Sequence, residues 1–429
     1  MRHRAPTPAT TRPAVTAKRA ERPVPAPALT EPRGPSAHGS VGTVTDVAAA
    51  VEEVLSAYLA ERAAESGTVG ARFTDDVVGH LTRFLLGGGK RLRPAFLWCG
   101  WRAGGGTGAT EGDVLRIGAA LELLQGCALI HDDLMDGSPV RRGSPSTPAA
   151  FTALHRARTL SGDPARFGAS AALLAGDLAL VWAQDLWEET ALSATARRRG
   201  RGLWRTMRTE MVAGQYLDLY GQAAGSWSPP ETLRVAHLKA GLYTVQRPLG
   251  LGAAIAGAGR RTREALERAG QAVGVVFQLL DDLSDLYGQP SSAGRPAGED
   301  VRRGTPTYLM AVAMERARAG GHRNAERVLT EALGDASLDE AGLERVRAAV
   351  ARVGARGVVE RHIEELTGQA RNAIAEAGLD DVVEGELNQV IEDVVRAPLT
   401  APDRPGAAGR PGEDTGSRAG RGARRGDAA

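Results

Sequence analysis

Two copies of one acidic pattern stand far apart in this chain: Asp132-Asp133-Leu134-Met135-Asp136 and Asp281-Asp282-Leu283-Ser284-Asp285. Both lie in apolar stretches of helical period, so Asp132 and Asp136 share one helix face, as do Asp281 and Asp285. Packing several carboxylates into an apolar setting is costly unless something cationic binds them. Hard divalent ions such as Mg²⁺ take a few carboxylates plus substrate phosphates. The pattern therefore calls for a fold that sets two acidic helices face to face, as a metal cage for a diphosphate.

The surrounding periodicity is helical. Val51, Val54, Leu55, Tyr58 and Leu59 follow the i, i+3, i+4 spacing, as do Leu115, Ile117, Ala120, Leu121 and Leu124. Segments 169–187 and 266–286 read as helices too. Breaks fall at Gly104-Gly105-Gly106, Ser138-Pro139, Gly162-Asp163-Pro164, Ser228-Pro229-Pro230 and Gln289-Pro290. The expected fold is all-α, a single large bundle of about a dozen helices, spanning 43–396. Residues 1–42 and 397–429 are Pro-, Ala-, Gly- and Arg-rich without periodicity and are expected to be disordered. The first of these faintly resembles a transit peptide, but its prolines prevent an amphipathic helix.

Composition excludes several classes. A net charge of +2 argues against a nucleic-acid binder. Two cysteines, Cys99 and Cys127, make no secreted disulfide framework, which points to the cytoplasm. No run reads as the about 20 uncharged apolar residues of a transmembrane segment. Lysine occurs only as Lys18, Lys90 and Lys239 in an Arg-rich chain. The latter two mark places where a compact ammonium is needed, or are chance survivals.

Around the acidic motifs stand candidate phosphate binders. Arg141-Arg142-Gly143 follows the turn after Asp136, and Arg binds phosphate bidentately. The plainer alternative is a salt bridge neutralising the aspartates. Upstream lies Gly87-Gly88-Gly89-Lys90-Arg91-Leu92-Arg93-Pro94. This ordered set resembles the trans-isoprenyl diphosphate synthases of the polyprenyl synthetase family. The resemblance runs from about Leu81 to Thr307 and includes Leu121 to Asp136, Ala175-Gly176-Asp177, Gly214-Gln215-Tyr216-Leu217-Asp218, Lys239 with Tyr243 to Leu249, and Phe277 to Asp282.

The resemblance implies an all-α bundle around a deep cavity. In it Asp132, Asp136, Asp281 and Asp285 hold Mg²⁺, three ions in all, with Asp133 and Asp282 in support. Lys90, Arg93, Arg142 and Gln125 hold isopentenyl diphosphate. Arg141, Lys239, Gln278 and Arg295 meet an allylic diphosphate. The reaction is ionisation, condensation and elimination, and the assembly a homodimer. Gln125 stands where many relatives carry histidine, Ala240 where they carry threonine, and Thr305 where they carry lysine; Arg302 or Arg303 is the candidate to compensate. Asp177 reads as structural, and Gln215 and Asp218 as cavity-lining or bracing. Cys127 and Ala128, one turn before Asp132, are small, which favours a C20 product, geranylgeranyl diphosphate, with the floor deeper, at Leu124. A farnesyl or longer-chain synthase is the alternative product class. Three rival readings are a class I terpene cyclase, a non-catalytic subunit of a hetero-oligomeric synthase, and an HD-type phosphohydrolase built on His80 and His131-Asp132.

Overall fold

A computed structural model describes residues 43–225, 228–288 and 297–396. The two terminal segments, Arg295 and the break at Gln289-Pro290 lie outside the described residues. The helices begin where capping chemistry allows. Asp163 accepts the Ala165 amide at 2.9 Å with Pro164 in the first turn, opening one long helix; Ser228 and Glu231 form a reciprocal capping box at another.

The helices are α1 (Val47–Gly67), α2 (Ala71–Phe73), α3 (Gly79–Leu86), α4 (Leu92–Ala103), α5 (Glu111–Met135), α6 (Thr147–Ala157), α7 (Pro164–Glu189), α8 (Ala194–Ala224) and α9 (Pro229–Ala236). They continue as α10 (Arg247–Ala256), α11 (Arg260–Tyr287), α12 (Glu299–Arg303), α13 (Tyr308–Ala319), α14 (Arg323–Ala332), α15 (Glu340–Arg352), α16 (Ala355–Ala377) and α17 (Asp381–Arg396). A π-helix, His237–Gln246, joins α9 to α10. The segment count exceeds the expected dozen because short turns and the π-helix split longer periodic stretches. A two-stranded hairpin, Val140–Arg141 with Ser144–Pro145, was not expected. Its loop residues Arg142 and Gly143 both have positive φ, 52° and 72°, the conformation that type I′ hairpins need.

Helix α5 runs through the core and packs against α1, α4, α6 and α7. Its Ile117, Leu121, Leu124 and Ile130 are buried, beside Trp98, Trp101, Trp187 and Trp204. Burying each such side chain contributes about 1.5–3 kcal/mol. The tryptophans thus build the core. A second apolar cluster joins the end of α11 to α13–α16.

Contrary to the sequence expectation, two helical stretches are long and apolar enough to cross a membrane: Gly108–Met135 and Pro164–Glu189. The first is 72% buried inside the protein and ends in carboxylates, the pattern of a core helix. The second is 39% buried, and its outer face bears Leu173, Leu174 and Val181.

Candidate active site

Three elements converge at the acidic motifs. Helix α5 delivers Asp132, Asp133 and Asp136 on its last turn, and α11 delivers Asp281, Asp282 and Asp285. The π-helix brings Lys239, and glycines let it come close. A Cβ on Gly241 would stand 2.8 Å from the Gly274 carbonyl oxygen of α11. A Cβ on Gly214 of α8 would stand 2.4 Å from the Lys239 backbone nitrogen. Wide π-turns recur at functional sites because they re-aim a side chain that a regular helix would turn elsewhere.

The first motif is neutralised by cations. Arg141 donates to Asp133 Oδ1 from Nε at 2.8 Å and to Asp132 Oδ2 at 2.9 Å. Lys239 Nζ lies 2.8 Å from Asp218 Oδ2 and 3.2 Å from Asp132 Oδ1. Burial opposes ionisation of Asp132, but Lys239 and Arg141 outweigh it and hold its pKa below the usual carboxylate value. Burial likewise opposes the charge on Lys239, yet Asp132 and Asp218 raise its pKa on balance, so it stays protonated. Asp136 and Asp133 go the other way: burial lifts both, with Asp132 adding repulsion.

The second motif is acidic with few counter-charges. Burial pushes Asp282 up to about 8, although it accepts from Gln278 Nε2 and the Tyr308 amide, both at 2.9 Å. Asp285 accepts the amides of Glu299 at 3.1 Å and Asp300 at 3.2 Å. Its pKa is raised by burial and then by the Asp300 carboxylate. Asp281 is solvent-exposed, yet the protein around it raises its pKa, with the nearby Lys90 opposing the rise.

Further cations stand on the loop 87–91, on α4 and on the hairpin. Arg93 donates to Thr244 Oγ1 at 2.7 Å and lies 4.2 Å over the Tyr243 ring, whose hydroxyl donates to Gln125 Oε1 at 2.6 Å. Arg142 reaches back to the Gly88 carbonyl, against the loop that carries the exposed Lys90. Arg93 and Gln125 are thus joined through Tyr243, and Arg142 meets the loop that carries Lys90. Cys127 and Leu124 are buried, and Ala128 is half-buried.

The expected site residues have protein partners of their own. Among the described residues, no three acidic, His or Cys side chains already converge in metal-ligating geometry. Asp132 and Asp136 are held by cations and Asp285 by amides, because close carboxylates need compensating charge or donors. Arg141 neutralises Asp132 and Asp133, the plainer of its two readings. Gln278 is tied to Asp282. The residues nevertheless fit a hard divalent cation: Asp133 Oδ2 is a buried oxygen without a hydrogen bond, and the second motif crowds oxygen ligands whose mutual repulsion such an ion relieves. The phosphohydrolase reading fails on geometry. His80 contacts Thr147 Oγ1 at 3.1 Å, while His131 faces the Leu173 carbonyl and Asp177.

One site residue escaped notice in the sequence, and a second was named only as a candidate to compensate for Thr305. Asp300 stands beside Asp281 and Asp285, and Arg303 pairs with Asp136 at 2.7 Å. Their only signal was a charged string, Glu299-Asp300-Val301-Arg302-Arg303, shortly after the second motif. Asp218 proves to be the partner of Lys239, and Gln215 touches Met135 Sδ at 3.7 Å.

Known proteins resemble this chain in sequence and fold. The Polyprenyl synthetase family pattern matches residues 76–350. A geranylfarnesyl diphosphate synthase of Aeropyrum pernix is 26% identical over 324 residues, 75% of this chain and 94% of that protein. A (2E,6E)-farnesyl diphosphate synthase of Mycobacterium tuberculosis is 28% identical over 313 residues, 72% of this chain and 79% of that protein. The crystal structure of a geranylgeranyl pyrophosphate synthase from Corynebacterium glutamicum, complexed with isoprenyl diphosphate and magnesium, superposes with a TM-score of 0.78 at 36% identity. It covers 82% of this chain and 99% of that one. Family pattern, fold and paired aspartate helices agree: the chain belongs to the polyprenyl synthetase family and is a trans-prenyltransferase.

Proposed function

We propose that this prenyltransferase joins isopentenyl diphosphate to an allylic diphosphate with Mg²⁺ and releases geranylgeranyl diphosphate. The observation that carries this reading is the cationic pair Arg141 and Lys239 set among the carboxylates of both motifs. Asp132, Asp136, Asp281 and Asp285 would hold the metal, with Asp133 and Asp282 fixing the helices that carry them. Bound Mg²⁺ supplies charge stabilisation for the leaving diphosphate. Lys239 and Arg141 act on the same charge as the allylic C–O bond ionises, and fixed cations in a dry site are worth more than in water. Arg93, Lys90 and Arg142 hold the diphosphate of isopentenyl diphosphate, with Gln125 oriented by Tyr243. The apolar face of α5 keeps water from the carbocation. The proton lost after condensation passes to the departing diphosphate.

Product length follows from the small Cys127 and Ala128 below Asp132, and Leu124 then forms the floor. The relatives include farnesyl and geranylfarnesyl synthases, and the geranylgeranyl synthase of C. glutamicum supports the intermediate length. We propose a homodimer built on α7 and α8, which carry Leu173, Leu174, Val181, Val212 and Tyr216 exposed. The free, buried thiols suit a cytoplasmic enzyme. Asp132→Asn and Asp281→Asn test the reading. Each is expected to lower kcat/KM by about 10²-fold or more without unfolding the chain. Near-normal turnover in both refutes it.

A further inference from the structure

Arg303 ties the end of α5 to the short helix α12 that follows the second acidic motif. Its guanidinium donates to Asp136 Oδ2 at 2.7 Å and to Ser138 Oγ at 2.6 Å, both at the end of α5. It also meets Glu299 on its own short helix, α12, which follows the second motif. The Arg303 side chain is 16% exposed and that of Asp136 10%, so the bridge is largely out of water. There an ion pair is stronger, and removing one partner is felt by the other. The adjacent Arg302 turns away: its Nε donates to the Leu338 carbonyl at 2.8 Å and another guanidinium nitrogen to the Ala297 carbonyl at 2.6 Å. One arginine of the pair braces the fold; the other faces the carboxylates.

The bridge occupies one of the two carboxylate oxygens that Asp136 could offer a divalent ion. Asp136 cannot give that oxygen fully to both a guanidinium and a metal. An arginine released from Asp136 stays beside the site, held by α12. The strongest anion then arriving is a diphosphate, which a guanidinium binds through paired N–H groups.

We propose that Arg303 is a two-position latch: on Asp136 in the free protein, and on the substrate diphosphate once metal and diphosphate enter together. This inference rests on the diphosphate reading given above. In it Arg303 is a positioning residue. It disfavours the metal alone, favours metal and diphosphate jointly, and draws α12 over the occupied site.

The test uses the full chain with Arg303→Gln and Arg303→Lys. Binding of Mn²⁺ alone is followed by loss of the free-ion paramagnetic signal, and binding of inorganic pyrophosphate in saturating Mn²⁺ by calorimetry. Arg303→Gln is expected to bind Mn²⁺ alone about tenfold more tightly and pyrophosphate about tenfold more weakly, the scale of one charge-assisted contact. Arg303→Lys keeps the charge but loses the fork, so it falls between on both readouts. It also carries the test if the Gln variant does not fold. A merely structural role weakens both affinities together. With wild-type binding intact, any result other than these opposite shifts overturns the latch and leaves the diphosphate site standing. A wild-type chain that binds no pyrophosphate in Mn²⁺ overturns both.

Discussion

Gly214 offers a sharp perturbation because a control lies on the same helix. A Cβ at Gly214 would stand 2.4 Å from the Lys239 nitrogen and 2.6 Å from the Leu238 carbonyl carbon, both backbone atoms. Ordinary contact begins near 3.4 Å, so the π-helix must retreat by 3.4 − 2.4 = 1.0 Å. At Gly221 a Cβ meets only Pro306 Cγ, at 3.5 Å. Both substitutions by alanine gain the same helix propensity, about 1 kcal/mol. The difference between Gly214→Ala and Gly221→Ala therefore isolates the clash, about 1–3 kcal/mol for an overpacked core. That separates their melting points by a few degrees, at about 2–4 °C per kcal/mol or somewhat less in a chain of this size. Retreat of the π-helix also draws Lys239 Nζ from Asp132 at 3.2 Å and Asp218 at 2.8 Å. A misplacement of about 1 Å at a catalytic group costs on the order of 10²-fold in rate. Calorimetric melting and kcat/KM with isopentenyl and allylic diphosphates in Mg²⁺ read both effects. Equal melting points and equal rates for the two variants would refute the idea that close approach at Gly214 positions Lys239.

Three further outcomes are expected. Arg91 and Glu122 form a pair whose side chains are 4% and 6% exposed, so Arg91→Met strands a buried carboxylate and costs about 3–5 kcal/mol in urea unfolding; a cost under about 1 kcal/mol contradicts the pairing. Burial, then Arg83, lowers the pKa of His80 from its usual 6.5 to about 4. The folded state thus takes up fewer protons than the unfolded one, and this contribution, complete above 6.5, is lost as pH falls toward 4. The gap corresponds to about 3 kcal/mol at about 1.4 kcal/mol per pH unit, and His80→Asn should flatten the stability profile across that window. Finally, Ala128→Phe places a ring one helical turn below Asp132 and should shorten the product to C15; an unchanged product ladder removes Ala128 from the floor.

Much of the site was legible in the sequence because its chemistry is local. Each DDxxD sits within one helical turn, and apolar period alone assigns α5 and α11. Caps at Asp163 and Ser228 mark helix starts as written. Pairings across the bundle leave no such local trace. Nothing near Asp136 announces Arg303, and nothing near Lys239 announces Asp218. The π-helix escaped because its wider turn breaks the 3.6-residue spacing that the eye follows. The sequence offers the carboxylates as metal ligands or as salt-bridge partners of the arginines after them, and the fold pairs them with Arg141, Lys239, Arg303 and the amides of Glu299 and Asp300. Arg295, expected to meet the allylic diphosphate, lies outside the described residues.

The most direct test of the central claim is to size the products. Purified chain would receive isopentenyl diphosphate with dimethylallyl, geranyl or farnesyl diphosphate, with and without Mg²⁺, and the chains would be measured after dephosphorylation. The account predicts a C20 alcohol that forms only with Mg²⁺ from every primer. No elongation from any primer, or hydrocarbon from a preformed allylic diphosphate alone, would contradict it.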